Sequence, residues 1–216
     1  MQRELGDPGG DRATFAQTLN TLKHTGSNLL LVGSGAGAHD AACRRLRGES
    51  GHDSRYRVFV TDDVNCCRHA HDGENATTAI VEYSGSPSSD PGDDGADGDG
   101  SLGHLVADVI DSIDEFDDDA DGLEPSELRV CIDSLVPLLH RYDTEDVFRF
   151  VHVTTARVEQ ARGMGHYHLP VSRDHDAVTL LEPMFDAVVE LRTRENVHEQ
   201  QWHLRDRTTT TDWVQL

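Results

Sequence analysis

Apolar positions along the chain fall into short continuous runs separated by amphipathic stretches, and that alternation predicts most of the elements. Phe15, Leu19 and Leu22 recur at helical spacing and Gly26 follows, which predicts a first helix over 14–24. Residues 28–32 (NLLLV) are a continuous apolar run, the mark of a strand buried on both faces. Glycine-rich 33–37 (GSGAG) comes next, then a helical stretch over 38–47. Residues 56–61 (YRVFVT) and 78–83 (TAIVEY) are β-branched or aromatic and flanked by charged or turn-forming residues, so both read as strands.

Leu105, Val109, Ile113 and Phe116 stand at i, i+4, i+8 and i+11, which predicts an amphipathic helix over 102–116. A strand at 128–133 (LRVCID) follows. A long helix over 144–162 has Asp143 and Thr144 as caps, buries Val147, Phe150, Val151, Thr154 and Val158, and stops at Gly163. A strand at 165–171, a short helix over 174–183 and a strand at 186–192 continue the alternation, and 201–204 with 211–216 suit a terminal β-hairpin. Strands alternating with helices predict an α/β fold: three layers, a mainly parallel sheet with helices on both faces, and a C-terminal hairpin.

Two segments stand outside this pattern. Residues 1–12, rich in Gly, Asp and Pro, are expected to be loose. Residues 84–101 are almost wholly Ser, Gly, Pro and Asp, too polar to offset their conformational entropy by burial, and read as a flexible acidic insertion because core elements continue beyond them. That leaves a single domain over 13–216, a length at which a core forms without disulfides or metal.

Composition changes the picture in one respect. Asp and Glu outnumber Lys and Arg by 40 to 19, the formal charge is −21, and Lys23 is the only lysine. Such a surface repels itself unless salt screens it, to roughly 3 Å at 1 M, so the chain reads as halophilic. The acids run along the whole sequence, which argues against the plainer alternative of one acidic interaction patch. With no Lys/Arg stripe, nucleic acid and anionic membrane are not expected partners. No apolar run approaches the ~20 residues of a membrane span. Cys43, Cys66, Cys67 and Cys131 lack a disulfide spacing, and the opening residues carry no leader pattern, so a reducing cytoplasm is expected.

The glycine run after the first strand is a candidate phosphate loop. In such a loop glycines let backbone N–H groups turn toward phosphates at a helix N-terminus, a Lys reaches the terminal phosphates, and Ser or Thr holds magnesium. Against G-x-x-x-x-G-K-[ST], residues 33–40 read GSGAGAHD. Gly33, Ser34, Gly35 and Gly37 keep the glycine-rich frame. Ala38 stands for the second Gly, His39 for the Lys, and Asp40 places a carboxylate where a hydroxyl should be, opposing phosphate by on the order of 1 kcal/mol or more. The plainer alternative is a Gly-rich turn that binds nothing.

Later segments carry a resemblance. RVCIDSL at 129–135, FRFVH at 148–152, GMGHYHLP at 163–170 and FDAVVELR at 185–192 are similar, in that order, to the KaiC-like branch of the RecA-type P-loop ATPases, especially haloarchaeal members with worn phosphate loops. The resemblance covers most of 28–192. It implies a RecA-like P-loop sheet, places Asp133 on the metal side of the nucleotide, and sets Asp62 and Asp63 where the family carries a glutamate pair that prepares the attacking water. Aspartate is one methylene short for that role. With three of four hydrolytic parts altered, the resemblance implies a pseudo-ATPase: a non-hydrolytic regulatory or protein-interaction module in signal transduction. It would hold ATP or ADP with Mg weakly or not at all, with a protein partner or further copies of itself. An alternative is a residual ATPase completed by a neighbouring subunit, with His39, Arg157 or Arg162 in place of the lost Lys.

Two other constellations offer metal-ligating groups, and a pair of histidines stands where a ligand could lie. Cys66, Cys67, His69 and His71 offer thiol and imidazole, but so close together that they cannot occupy tetrahedral corners. Asp117, Asp119, Asp121 and Gly122 reproduce the start of an EF-hand loop; position twelve is Leu128 and Pro125 intrudes, so a solvated acidic turn is expected, with a cation-binding protein as the alternative. His166 and His168 alternate on one face of a strand near Asp133, where a ligand could meet them, and the expectation is that they fill the sheet face.

Overall fold

The structure, a computed structural model, describes residues 8–48, 55–62, 76–83, 98–205 and 210–216. Its elements are α1 (Pro8–Thr25), β1 (Ser27–Val32), α2 (Ala36–Arg47), β2 (Arg55–Thr61), β3 (Ala76–Glu82), α3 (Gly98–Asp119), β4 (Leu128–Ile132), α4 (Val136–Arg141), α5 (Thr144–Gln160), β5 (Met164–Leu169), α6 (Asp176–Leu181), a 3-10 turn (Glu182–Met184), β6 (Ala187–Arg194), β7 (Val197–Leu204) and β8 (Val214–Gln215). They form a mixed α/β structure around one eight-stranded sheet of order β3-β2-β4-β5-β1-β6-β7-β8. The strands from β3 to β6 run parallel; β7 and β8 are antiparallel.

The apolar run of β1 sits between β5 and β6, buried along its whole length. Successive side chains of a strand point to opposite faces. Leu30 and Val32 therefore join Val58, Val60, Val130, Ile132, Tyr167 and Leu169 in a large core closed by α3, α4, α5 and α6. Leu29 and Leu31 face the other way, to a smaller core with Val189, Leu191, Trp202 and α2 residues Ala38 and Ala42, against which Leu19 of α1 also packs. Helices thus cover both faces. The polar Asn28 is accommodated because its side-chain N–H donates to the Thr155 carbonyl (3.1 Å), its Oδ1 accepts from Tyr167 Oη (3.3 Å), and its backbone N–H donates to Asp186 (2.8 Å).

Several expected boundaries move. α1 begins at Pro8, inside the segment expected to be loose, and α3 begins at Gly98, inside the expected insertion. In both cases the helix extends beyond its apolar stripe, since added turns need no buried face once the helix is nucleated. Residues 84–97 lie outside the described residues. α4 was not expected; six residues are too few to show a periodic stripe. The terminal hairpin exists with different strands: β6 and β7 pair over their eight residues through Glu195 and Asn196, both at positive φ (51° and 63°) as a two-residue turn requires, and β8 adds at Glu199 and Gln200. Most of β7 is polar, which hid it in the hydrophobic pattern.

Leu30, fully buried at the centre of the sheet, tests this core. Leu30→Ala is expected to lower unfolding stability by about 2–5 kcal/mol, measured by equilibrium denaturation in molar potassium chloride.

Candidate functional site

Because the strands from β3 to β6 are parallel, their carboxyl ends share one edge, the usual place for a site in an open α/β sheet. Gly33 follows β1 there, Asp62 follows β2 and Asp133 follows β4. Gly33 takes φ 114°, its N–H donates to the Val171 carbonyl (2.7 Å), and a Cβ at this position would fall 2.0 Å from the Leu191 carbonyl oxygen. Only glycine fits this close passage between β1 and β6. The next two glycines have neighbours of the same kind. A Cβ on Gly35 would meet Thr193 Oγ1 at 3.2 Å, and one on Gly37 would meet His198 Cε1 at 3.0 Å. Thr193 and His198 belong to the β6–β7 hairpin and hydrogen bond to each other at 3.0 Å. The hairpin therefore packs on the glycine turn where a phosphate loop would present its backbone to a ligand.

His39, at the position of the phosphate-loop lysine, turns under the loop. It is 7% exposed; Nε2 is 2.7 Å from the Gly33 carbonyl oxygen and Nδ1 is 2.8 Å from His168 Nδ1. Burial, followed by repulsion from His168, lowers its pKa to about 4, so the ring is neutral near pH 7. A carbonyl only accepts, so Nε2 carries the proton of His39 and Nδ1 is the acceptor. Across that contact His168 presents Nδ1, which leaves Nε2 as its other ring nitrogen. That atom is buried and has no hydrogen-bond partner.

Beside this pair lies a group of soft donors. Cys131 of β4 is the register partner of His166 on β5, and His168 stands two residues on, on the same sheet face. Cys43 comes down onto them from α2, one helical turn after His39. Cys43 Sγ lies 3.5 Å from Cys131 Sγ and 3.4 Å from His166 Nε2. Taking one ligand atom from each, Cys43, Cys131, His166 and His168 all lie within 4.8 Å of one another. Both cysteines are free thiols. The hydrogen bond from Cys131 holds the Cys43 pKa well below its usual value, helped by His166 and His168 and opposed by burial. The same bond, burial and the neighbouring Cys43 charge push Cys131 up. Burial lowers His166.

The other expected residues are dispersed. Ser34 and Asp40 are exposed, as is Asp62, while Asp63 lies outside the described residues. Asp133 is half-buried and accepts from Thr61 Oγ1 at 3.2 Å. Asp117 lies in the last turn of α3: its Oδ1 accepts the Leu123 N–H (3.0 Å) and its Oδ2 is 3.5 Å from Arg157. Among the described residues, Asp117, Asp119 and Asp121 do not converge as a metal group; the converging group is the thiol–imidazole set. Cys66, Cys67, His69 and His71 lie outside the described residues. Arg157 is held by Asp114 at 2.6 Å, and Arg162 donates to the Leu123 carbonyl at 3.3 Å, beside the start of β5 and so at the sheet edge opposite the loop. His166 and His168 fill the sheet face, at 2% and 4% exposure, and there they gather with two cysteines. The spacing of His166 and His168, and of His39 and Cys43 one turn apart, was a usable signal. The placement of Cys131 opposite His166 was not, because it is a matter of strand register.

Fold and site together define a mainly parallel α/β protein with a glycine turn leading from its central strand into a helix and a buried thiol–imidazole group under that helix. The chain belongs to DUF7504, a family of unknown function, whose sequence model matches residues 26–191, from the turn before β1 into β6. No curated protein matches it.

The three glycines should respond unequally to substitution. Gly33→Ala, at positive φ against backbone, is expected to lose more than about 2 kcal/mol of stability. Gly37→Ala meets only a movable side chain and gains helix propensity, so a change within about 1 kcal/mol is expected. Denaturant titration of the two variants beside wild type checks this.

Proposed function

We propose that the chain is a non-hydrolytic regulatory or interaction module of KaiC-like, RecA-type ancestry, working in a salt-rich cytoplasm through protein partners or further copies of itself. The observation that carries this reading is His39, which lies buried beneath the glycine turn as a neutral ring bonded to Gly33 and His168. A phosphate loop needs a cation at this position that reaches outward. The order of elements supports the ancestry: strand, glycine turn and helix come first, and a strand ending in Asp133 returns to the same edge. The dominance of acids over bases supports the salt-rich setting.

A group of cations gathers at the other edge of the sheet. Lys23, Arg45, Arg55 and Arg129 line a cavity of about 430 Å³ with Ser27 and Met164. Ser27, Arg55 and Met164 are the first residues of their strands, so this cavity opens at the edge opposite the loop. Burial, with Arg55 and Arg57 close by, lowers the Arg129 pKa to about 9. A residual ATPase completed by Arg157 is less well supported, because Asp114 and Asp117 already hold that side chain.

Isothermal titration of Mg·ATP and of ADP into the protein in molar potassium chloride tests the reading. No saturable binding is expected up to about 1 mM nucleotide. A micromolar Kd for the wild type would sink the closed-loop reading and restore the ATPase alternative.

A further inference from the structure

We propose that Cys43, Cys131, His166 and His168 form a structural zinc site that fastens α2 to the sheet. Zinc bonds to thiolate sulfur at about 2.3 Å and to imidazole nitrogen at about 2.0–2.1 Å in tetrahedral geometry. Those lengths put two ligand sulfurs about 3.8 Å apart and a sulfur and nitrogen about 3.5 Å apart. The separations of 3.5 Å between Cys43 and Cys131 and 3.4 Å between Cys43 and His166 Nε2 are close to these values, and all four ligand atoms lie within 4.8 Å of one another.

Two further observations point the same way. His168 Nε2 is buried and has no hydrogen-bond partner. A buried ring nitrogen without a partner is unfavourable, and a metal ion satisfies it. The bond from His168 to His39, continued to the Gly33 carbonyl, is the outer-shell support that fixes ring orientation in metal-bound histidines.

Binding releases both thiol protons to solvent and leaves two thiolates and two neutral imidazoles around Zn²⁺, a group of zero net charge suited to burial. With four protein ligands no position is left for water, which makes the site structural. Its ligands come from α2, β4 and β5, so the ion would tie the helix that follows the glycine turn to two strands of the sheet. The assignment stands whether or not the turn binds nucleotide.

The full chain, purified in molar potassium chloride without chelator, is expected to carry about one zinc per molecule. X-ray absorption should show two sulfur and two nitrogen neighbours, and cobalt exchange should give the intense visible bands of a tetrahedral thiolate site. Cys43→Ser and Cys131→Ser are expected to lose the metal, and a Cys66→Ser/Cys67→Ser double variant to keep it with the same spectrum. His39→Ala, a change outside the ligand set, is expected to weaken zinc affinity about 10–100-fold in chelator competition while the cobalt spectrum survives. If the two single variants fail to fold, the wild-type spectra and the double variant still decide. A metal-free wild type, metal lost with Cys66 and Cys67, or a Cys43–Cys131 disulfide found by peptide mapping would overturn the assignment.

Discussion

The burial of β1 on both faces is the constraint from which the rest of the molecule follows. Leu29, Leu30, Leu31 and Val32 are each at most 1% exposed, and each such side chain contributes about 1.5–3 kcal/mol by leaving water. Hiding all four takes a strand covered on both faces, and β1 lies between β5 and β6 with helices above and below. The chain must then leave the sheet at Gly33 through the narrow gap beside Leu191, and α2 is laid across one face directly afterwards.

That placement of α2 decides the chemistry beneath it. Its first turns present Ala38, His39, Ala42 and Cys43 to the sheet, and the strands below answer with Leu31, Cys131, His166 and His168. A helix carrying larger apolar residues at these positions would make an ordinary core. Small alanines bring the backbone close, and the polar pair between them meets the imidazoles and thiol at bonding distance. The glycine turn and the thiol–imidazole group are joined by one chain of hydrogen bonds, from Gly33 through His39 to His168.

Charge is partitioned with equal consequence. Among the described residues the acids lie mainly outside, where screening by salt makes their surplus tolerable. Cations sit partly inside, at the amino ends of the strands, far from the glycine turn. The edge that carries the glycine turn holds the neutral His39 imidazole and the exposed or half-buried carboxylates of Asp40, Asp62 and Asp133, with Arg192 and Arg194 at the end of β6.

The α/β alternation, the buried central strand, the glycine turn and the long amphipathic helices were legible in the sequence, because each is written in the spacing of apolar residues within one segment. The departure of Ala38, His39 and Asp40 from the phosphate-loop pattern was legible too, because a motif is read within one segment. Tertiary structure alone decided that His39 folds inward, that the β6–β7 hairpin comes beside Gly35 and Gly37, and that Cys43 and Cys131, 88 residues apart, meet two histidines of a third element. Strand order, register and the approach of a helix to a sheet arise from contacts between distant segments, and local periodicity carries no record of them.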